Sequence, residues 1–303
     1  MKRFIEKFRN EKIRNPKQPA YEEIPTRPIP RESSLTQQEP SPPQPEPPQL
    51  IVGCAQSAGK QRDHNEDALF TLTTTLVNDY NDITFGLYIV ADGMGGHQHG
   101  EVASSIAIRT MASSIVRKLY TPLLSPKPNP PEESLLEIMQ EGVQEAHRAI
   151  TKQVPGGGTT LTAALILGNQ MTIAHVGDSR AYLLENGSQI EALTRDHSLV
   201  NRLVELGQIT TDEAAVHPQR NVLYRALGQG EPFDADINSI QMPESGYLLL
   251  CSDGLWSVVN ESELQRLVKE SSSPEEACQR MVEAANAAGG PDNISAILIR
   301  LPG

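Results

Sequence analysis

TLTAALILGNQMTIAHVGDSRAYLLENGSQIEAL, residues 160–193, contains the clearest signal for the type of fold. It holds four strand-like runs in quick succession: Thr160–Leu167, Met171–Val176, Arg180–Leu184 and Gln189–Leu193. Gly168-Asn169 and Asn186-Gly187 each lie between two of these runs, and both dipeptides favour the tight turn of a β-hairpin. Because hairpins join antiparallel strands, this stretch predicts an antiparallel sheet.

Outside this stretch the sequence contains both helical and strand-like patterns. Apolar residues recur at helical spacing in residues 100–119, 131–153, 261–269 and 274–288. Short apolar runs at residues 87–91, 247–251 and 294–301 are typical of buried strands. The consecutive hairpins and the clustered helices argue against a parallel βαβ sheet. We therefore predict an α+β fold with helices on the faces of antiparallel sheets.

The first 50 residues differ in composition from the rest of the chain. They contain eleven of the 23 prolines and none of the 22 glycines. Such a Pro-rich stretch favours polyproline II and cannot pack a core. We predict a basic N-terminus and a Pro-rich disordered linker over residues 1–49, and one domain over residues 50–303. Residues 1–17 carry a net charge of +5 and either dock on an acidic membrane surface or a partner, or form a solvated, disordered terminus.

Composition and charge exclude several classes of protein. No apolar run approaches the ~20 residues of a membrane span, and the basic N-terminus is not followed by the apolar stretch of a secretory signal. Three widely spaced cysteines give neither a disulfide framework nor a CxxC metal pair, which suits the cytoplasm. The chain has a net charge of −12 and its first 50 residues carry +2, so the domain is acidic and is expected to repel nucleic acid. The nucleotide-binding GxGxxG and GxxxxGK[ST] motifs and the GxSxG motif of serine hydrolases do not occur.

Aspartates lie at the ends of five predicted strands: Asp67, Asp92, Asp178, Asp253 and Asp292. Any single Asp-Gly turn is ordinary, but five aspartates at strand ends can converge on one rim of a sheet. Several carboxylates without a Cys or His cluster suit Mg²⁺ or Mn²⁺ rather than Zn²⁺. Two such ions ~3.5–4 Å apart would hold a bridging hydroxide and clamp a phosphoryl group. Arg62, five residues before Asp67, has the guanidinium fork that binds phosphate, although a surface arginine is the alternative.

Seven motifs follow one another along the domain: KQRDHNEDALF, VADGMGGH, GGGTTL, HVGDSRAYLL, LTRDHS, LLLCSDGL and GGPDNISAILI. Together they resemble the metal-dependent protein phosphatases (PPM, or type 2C) over about residues 51–301, and the ADGMGGH motif has the form found in the bacterial-type branch. The resemblance implies a central sandwich of two antiparallel β-sheets flanked by α-helices (αββα), with a metal cleft at one end. It also implies hydrolysis of phosphoserine and phosphothreonine in proteins by a metal-bridging hydroxide.

The same resemblance implies a ligand set for Mn²⁺ or Mg²⁺. Two core ions would be held by one backbone carbonyl, that of Gly93, and by four carboxylates: Asp67, Asp92, Asp253 and Asp292. A third ion would be held by Asp178 together with Asp253.

Other matching residues would act around these ions. Arg62 would bind the phosphate as a catalytic residue, Asn293 would brace Asp292, and Glu66 would act through metal-bound water. Met94 stands where eukaryotic members have a histidine proposed as general acid, so the proton donor stays unassigned. Residues 196–225 resemble the flap that the family places beside the cleft.

The implied partners are phosphoproteins, the substrates of serine/threonine kinases, which would meet a monomeric enzyme in the cytoplasm. Two other functions stay open. One is a non-catalytic binding module of the same fold, which loss of ligands would mark. The other is a two-metal hydrolase that acts on small phosphate esters or nucleotides.

Overall fold

Two five-stranded antiparallel sheets form the centre of the structure. The structure is a computed structural model, and it describes residues 49–76, 82–95, 98–125, 132–185, 190–230 and 233–302. The first sheet contains, in spatial order, β1 (Ile51–Ser57), β12 (Ile294–Leu301), β11 (Gly246–Cys251), β8 (Arg180–Leu184) and β9 (Glu191–Ala192). The second contains β10 (Asp236–Gln241), β7 (Gln170–Val176), β6 (Leu161–Leu167), β3 (Ile83–Ala91) and β2 (Ala68–Leu76). A short pair, β4 (Gly93–Met94) and β5 (Gly158–Thr159), lies apart from both.

The hairpin predicted at Gly168-Asn169 is confirmed. Strands β6 and β7 pair from Leu161 opposite Val176 to Leu167 opposite Gln170, and Gly168 has a φ of +56° at the turn. Glycine adopts this left-handed conformation without the steric cost of a Cβ. The second predicted turn, Asn186-Gly187, lies outside the described residues, and the strand that follows it is shorter than the predicted 189–193.

Helices cover the outer face of each sheet. Helix α1 (Gln98–Ile115) continues into a π-helical turn (Val116–Tyr120) and α2 (Thr121–Leu123), and it packs with α3 (Leu135–Gln153) on the second sheet. Helices α7 (Glu261–Glu270) and α8 (Pro274–Ala287) pack on the first sheet. The described residues also contain three short helices: α4 (Leu199–Glu205), α5 (Thr211–Ala215) and α6 (Asp253–Trp256).

Alternation along β3 shows how the sequence builds these layers. Phe85, Leu87 and Ile89 belong to the core between the second sheet and its helices, whereas Tyr88 and Val90 belong to the core between the two sheets. Side chains of a strand point alternately to its two faces, so a continuous apolar run is required where both faces are covered. The structure is therefore an αββα sandwich, and the predicted α+β fold is confirmed.

Helix boundaries follow the capping residues. The helix predicted over 131–153 begins only at Leu135, because the side chain of Ser134 accepts the backbone N–H of Glu137 and the Glu137 carboxylate accepts that of Ser134. This reciprocal pair satisfies two donors that the first turn leaves free. Within the described ranges, no helix is both long enough and apolar enough to cross a membrane.

Close packing of α8 against β1 depends on Gly53. A Cβ at this position would lie 2.1 Å from the backbone nitrogen of Glu275. We predict that Gly53→Ala lowers the free energy of unfolding by about 1–3 kcal/mol or more, since the backbone of α8 or β1 must shift to admit the methyl group. Urea unfolding followed by circular dichroism measures the loss.

Gly142→Ala is the matched control for this substitution. In α3 the added Cβ would meet the flexible Ile115 Cδ1 at 3.4 Å, and alanine favours the helix by up to about 1 kcal/mol. Equal unfolding midpoints for Gly53→Ala and the unmodified chain would show that the close approach at Gly53 is not a constraint.

Candidate active site

The strand register brings the five predicted aspartates to one end of the sandwich. Asp67 and Asp92 each lie one residue beyond the paired residues Ala68 and Ala91 of β2 and β3. Asp178 and Asp253 each lie two residues beyond the pair formed by Arg180 of β8 and Cys251 of β11. Asp292 comes two residues before β12, the other neighbour of β11. Antiparallel pairing therefore gathers five loops that are far apart in sequence.

These loops enclose a cavity of 480 Å³. Four of the aspartates line it, and Asp67, 8% exposed, lies buried beside them. The stretch 196–225 contributes Asn221 and Leu223 to the wall. The full lining is Gln61, Arg62, Asp63, His64, Glu66, Asp92, Gly93, Met94, Gly95, Thr160, Asp178, Asn221, Leu223, Asp253, Asp292 and Asn293.

Asp67 is fixed by two serine hydroxyls that donate to the same oxygen. Ser252 Oγ lies 2.7 Å and Ser295 Oγ 2.6 Å from Asp67 Oδ2. Asp67 Oδ1 is buried and has no hydrogen-bond partner among the described residues. Burial, together with the nearby charges of Asp253 and Asp292, raises the pKa of Asp67 to about 7 despite the two hydroxyl donors.

The other buried carboxylates repel one another in the same way. Burial and the charge of Asp292 raise the pKa of Asp253 to about 6, although a hydrogen bond with Asp92 opposes this shift. Burial and the neighbouring carboxylates hold the pKa of Asp92 well above its usual range. The pKa of Asp178 is raised by burial and by Asp253. Asp253 Oδ1, like Asp67 Oδ1, is a buried acceptor without a partner in the described part of the chain.

This donor set fits a hard cation. Buried acceptors that lack donors, and carboxylates that destabilise each other's charge, are both compensated when a divalent ion binds oxygen ligands. In the described ranges no three Asp, Glu, His or Cys side chains already converge on one point as around a bound ion.

Arg62 lies at the rim and pairs with Asp292. Its Nη2 donates to Asp292 Oδ2 at 2.7 Å, and the arginine side chain is 52% exposed. This hydrogen bond is the main cause that raises the pKa of Arg62. The guanidinium is thus anchored at the edge of the cavity and remains accessible from solvent.

Close backbone packing explains the glycine after Asp92. The Gly93 N–H donates to the carbonyl oxygen of Glu66 at 3.2 Å, and a Cβ on Gly93 would lie 2.3 Å from the carbonyl oxygen of Gly100. The Ser104 hydroxyl donates to the same Glu66 carbonyl at 2.6 Å. Glycine is therefore required where the loop before β2, the loop after β3 and α1 meet.

Asn293 braces the loop that carries Arg62 and Glu66. Its Oδ1 accepts the backbone N–H of Glu66 at 2.8 Å, and its Nδ2 donates to the carbonyls of Ala58 and His64 at 3.0 and 2.8 Å. Only its backbone N–H contacts Asp292, at Oδ1 and 2.9 Å. The side chain of Asn293 thus supports the opposite loop rather than the neighbouring aspartate.

Sequence reasoning missed three hydroxyl residues that hold the aspartates. Ser252 and Ser295 bind Asp67, and Thr160 Oγ1 accepts the backbone N–H of Asp92 at 2.9 Å. The sequence feature that could have indicated them is their position within or beside the motifs: Ser252 directly precedes Asp253, and Thr160 belongs to the GGGTTL motif. Their partners are distant along the chain, so only the fold reveals the contacts.

A family model described as protein phosphatase 2C matches residues 53–294, most of the chain. The chain belongs to the protein phosphatase 2C family. The serine/threonine phosphatase Stp of Listeria monocytogenes is 37% identical over 249 residues, which cover 80% of this chain and 92% of that protein. The protein phosphatase PhpP of Streptococcus pneumoniae is 35% identical over 263 residues, which cover 83% and 98%.

Solved structures agree with this assignment. The serine/threonine phosphatase PstP/Ppp of Mycobacterium tuberculosis superposes with a TM-score of 0.70 at 32% identity, covering 84% of this chain and all of that one. The PstP catalytic domain in complex with two manganese ions gives a TM-score of 0.68 at 30% identity, covering 85% of this chain and all of that one. This member of the protein phosphatase 2C family is accordingly a metal-dependent protein serine/threonine phosphatase.

Neutralising one buried carboxylate is expected to stabilise the metal-free phosphatase. We predict that Asp253→Asn raises the free energy of unfolding in EDTA at pH 8 by about 1–3 kcal/mol, because one unit of pKa shift corresponds to about 1.4 kcal/mol. A carboxyl whose pKa is raised in the folded protein binds its proton more tightly there than in the unfolded chain. The stability of the folded protein therefore falls as pH rises from about 4 to about 7. The gain should therefore be smaller at pH 5, and chemical unfolding at both pH values measures it.

Asp236→Asn is the control for this prediction. The Asp236 carboxylate pairs with His197 Nε2 at 3.2 Å and Arg225 Nη1 at 3.0 Å, so its neutralisation should lower stability or leave it unchanged. An Asp253→Asn variant that is less stable than the unmodified chain at pH 8 would contradict the repulsion described above.

Proposed function

We propose that this cavity is the active site and that two divalent ions, Mg²⁺ or Mn²⁺, bind in it. The ligands are the carbonyl of Gly93 and four carboxylates: Asp67, Asp92, Asp253 and Asp292. The observation that carries the proposal is the pair of buried, unpartnered oxygens, Asp67 Oδ1 and Asp253 Oδ1, among mutually repelling carboxylates. The two manganese ions of the PstP catalytic domain support it.

The substrate is a phosphoserine or phosphothreonine side chain of a protein. When bound, the ions would supply an activated water as nucleophile and would neutralise charge on the phosphoryl group. Arg62 binds the non-reacting phosphate oxygens, since one of its N–H groups holds Asp292 while the fork remains half exposed at the rim. Asn293 keeps that loop in place through its bonds to Ala58, His64 and Glu66.

We place a third ion between Asp178 and Asp253. Burial and the charge of Asp253 raise the pKa of Asp178, and a cation bound by both carboxylates would relieve this repulsion. Asp178 and Asp253 both line the cavity. Asp253 would then serve both the core pair and the third ion.

In the cell the enzyme would act as a cytoplasmic monomer that opposes serine/threonine kinases in signal transduction. The acidic charge of the domain gives no basis for a nucleic-acid partner. We assign the activity to residues 50–303.

Phosphate release from a phosphothreonine peptide tests this function. We expect turnover in Mn²⁺, none in EDTA, and a loss of at least about 100-fold in Asp253→Asn, since a ligand substitution removes more than the 10–100-fold typical of a supporting residue. Arg62→Lys should raise KM about tenfold with a smaller change in kcat, because lysine keeps the charge but not the bidentate fork. Metal-independent turnover, or full activity in Asp253→Asn, would contradict the proposed site.

A chain that begins at Leu50 tests the assignment of activity to one domain. Turnover of a small phosphate ester should stay within about twofold of that of the full chain, because the described site contains no residue before Gln61. The same kinetic assay measures it. A loss of more than tenfold would show that residues 1–49 contribute to the active fold.

A further inference from the structure

The indole of Trp256 joins the two loops that carry Asp178 and Asp253. Trp256 Nε1 donates to the backbone carbonyl of Asp178 at 2.9 Å. Trp256 is also the last residue of α6, the four-residue helix that begins with Asp253. One rigid turn of helix therefore presents one carboxylate at its start and, at its end, holds the backbone of the other.

Arg180 fixes the indole ring from one face. Its guanidinium carbon lies 3.5 Å from the ring centre of Trp256. Its Nε and Nη2 donate to the two oxygens of Asp196 at 2.9 and 2.8 Å, and its Nη1 donates to the hydroxyl of Tyr182 at 2.8 Å. A guanidinium held in three places and stacked on the ring leaves the indole little freedom to rotate.

The other side of the Asp178 loop is held independently of Trp256. The His197 N–H donates to the carbonyl of Gly177 at 2.7 Å, and the Gly177 N–H donates to His197 Nδ1 at 3.2 Å. These bonds fix Gly177 relative to His197 but do not reach Asp253. The β8–β11 pairing brings the two loops side by side, and the contact from Trp256 ties the backbone of Asp178 directly to α6.

We propose that Trp256, clamped by Arg180, is a positioning residue that sets the spacing between the carboxylates of Asp178 and Asp253 and so the affinity of the ion they share. This inference rests on the proposed function, specifically on the third ion. Metal–ligand distances in well-formed sites lie within about 0.2 Å of standard values, so a shift of the backbone that carries one ligand is expected to weaken binding. Residues that orient ligands typically contribute 10–100-fold to metal affinity.

Equilibrium dialysis against Mn²⁺, with the bound metal quantified, tests the proposal on the full chain. The unmodified chain should bind two ions tightly and a third more weakly. Trp256→Phe keeps an aromatic six-membered ring for Arg180 to stack on and removes the pyrrole ring with its N–H; we expect the first two affinities within twofold of the original and the third about 10–100-fold weaker. Asp178→Asn should lose the third ion.

Tyr88→Phe is the matched control. It also removes one hydrogen-bonding group from an aromatic residue, since the Tyr88 and Thr73 hydroxyls bond at 2.8 Å in the core. It should leave all three manganese affinities unchanged. A third-ion affinity in Trp256→Phe within twofold of the original would overturn the proposal, as would equal weakening of all three ions or an equal effect of Tyr88→Phe.

Fluorescence gives a second readout, because Trp256 is the single tryptophan of the chain. Titration with Mg²⁺ should change its emission in the concentration range of the third ion, and Asp178→Asn should abolish that phase. A Trp256 emission that stays constant over the Mg²⁺ concentrations at which the third ion binds would overturn the proposal. If the unmodified chain binds two ions and no third, the proposal falls while Mn²⁺-dependent phosphate release still upholds the proposed function; absence of that release would overturn the function itself.

Discussion

Electrostatic repulsion among aspartates buried in one cavity is the constraint on which the rest of this end of the molecule depends. A carboxylate that is buried away from water is stabilised only by hydrogen-bond donors or by cations, and few hydrogen-bond donors face these aspartates. Asp67 receives two hydroxyl bonds on one oxygen and none on the other, and Asp253 keeps a bare oxygen. The folded scaffold must therefore hold these groups together against their own charge until a cation compensates it.

Rigid backbone contacts provide this restraint. Asn293 binds three backbone groups of the loop before β2, and Gly93 packs so closely on Gly100 that no Cβ fits between them. Each loop also continues a strand of a sheet that is covered on both faces. A shift of the loop would therefore disrupt buried hydrogen bonds between neighbouring strands. The site thus takes its precision from the core rather than from the loops themselves.

Several features followed from local sequence patterns. The Gly168-Asn169 turn, the buried runs of β3, β11 and β12 and the main helices depend on spacing and turn chemistry, which neighbouring residues determine. Strands β1 and β10 escaped prediction for the same reason. IVGCAQS contains a glycine that only the packing of α8 explains, and DINSIQ is a polar strand at the edge of its sheet. Tertiary pairing decides such segments, because their own propensity is weak.

The fold class, the acidic character of the domain and the chemical type of the site follow from the sequence alone, because aspartates at the ends of apolar runs and glycines near them are visible in the order of residues. Which atoms meet is visible only in the folded chain. The structure shows that Ser252 and Ser295 bind Asp67, that the side chain of Asn293 supports the Arg62 loop, and that Trp256 reaches the carbonyl of Asp178. These contacts join residues far apart in the chain, and their geometry follows from strand register and sheet packing, which no local pattern encodes.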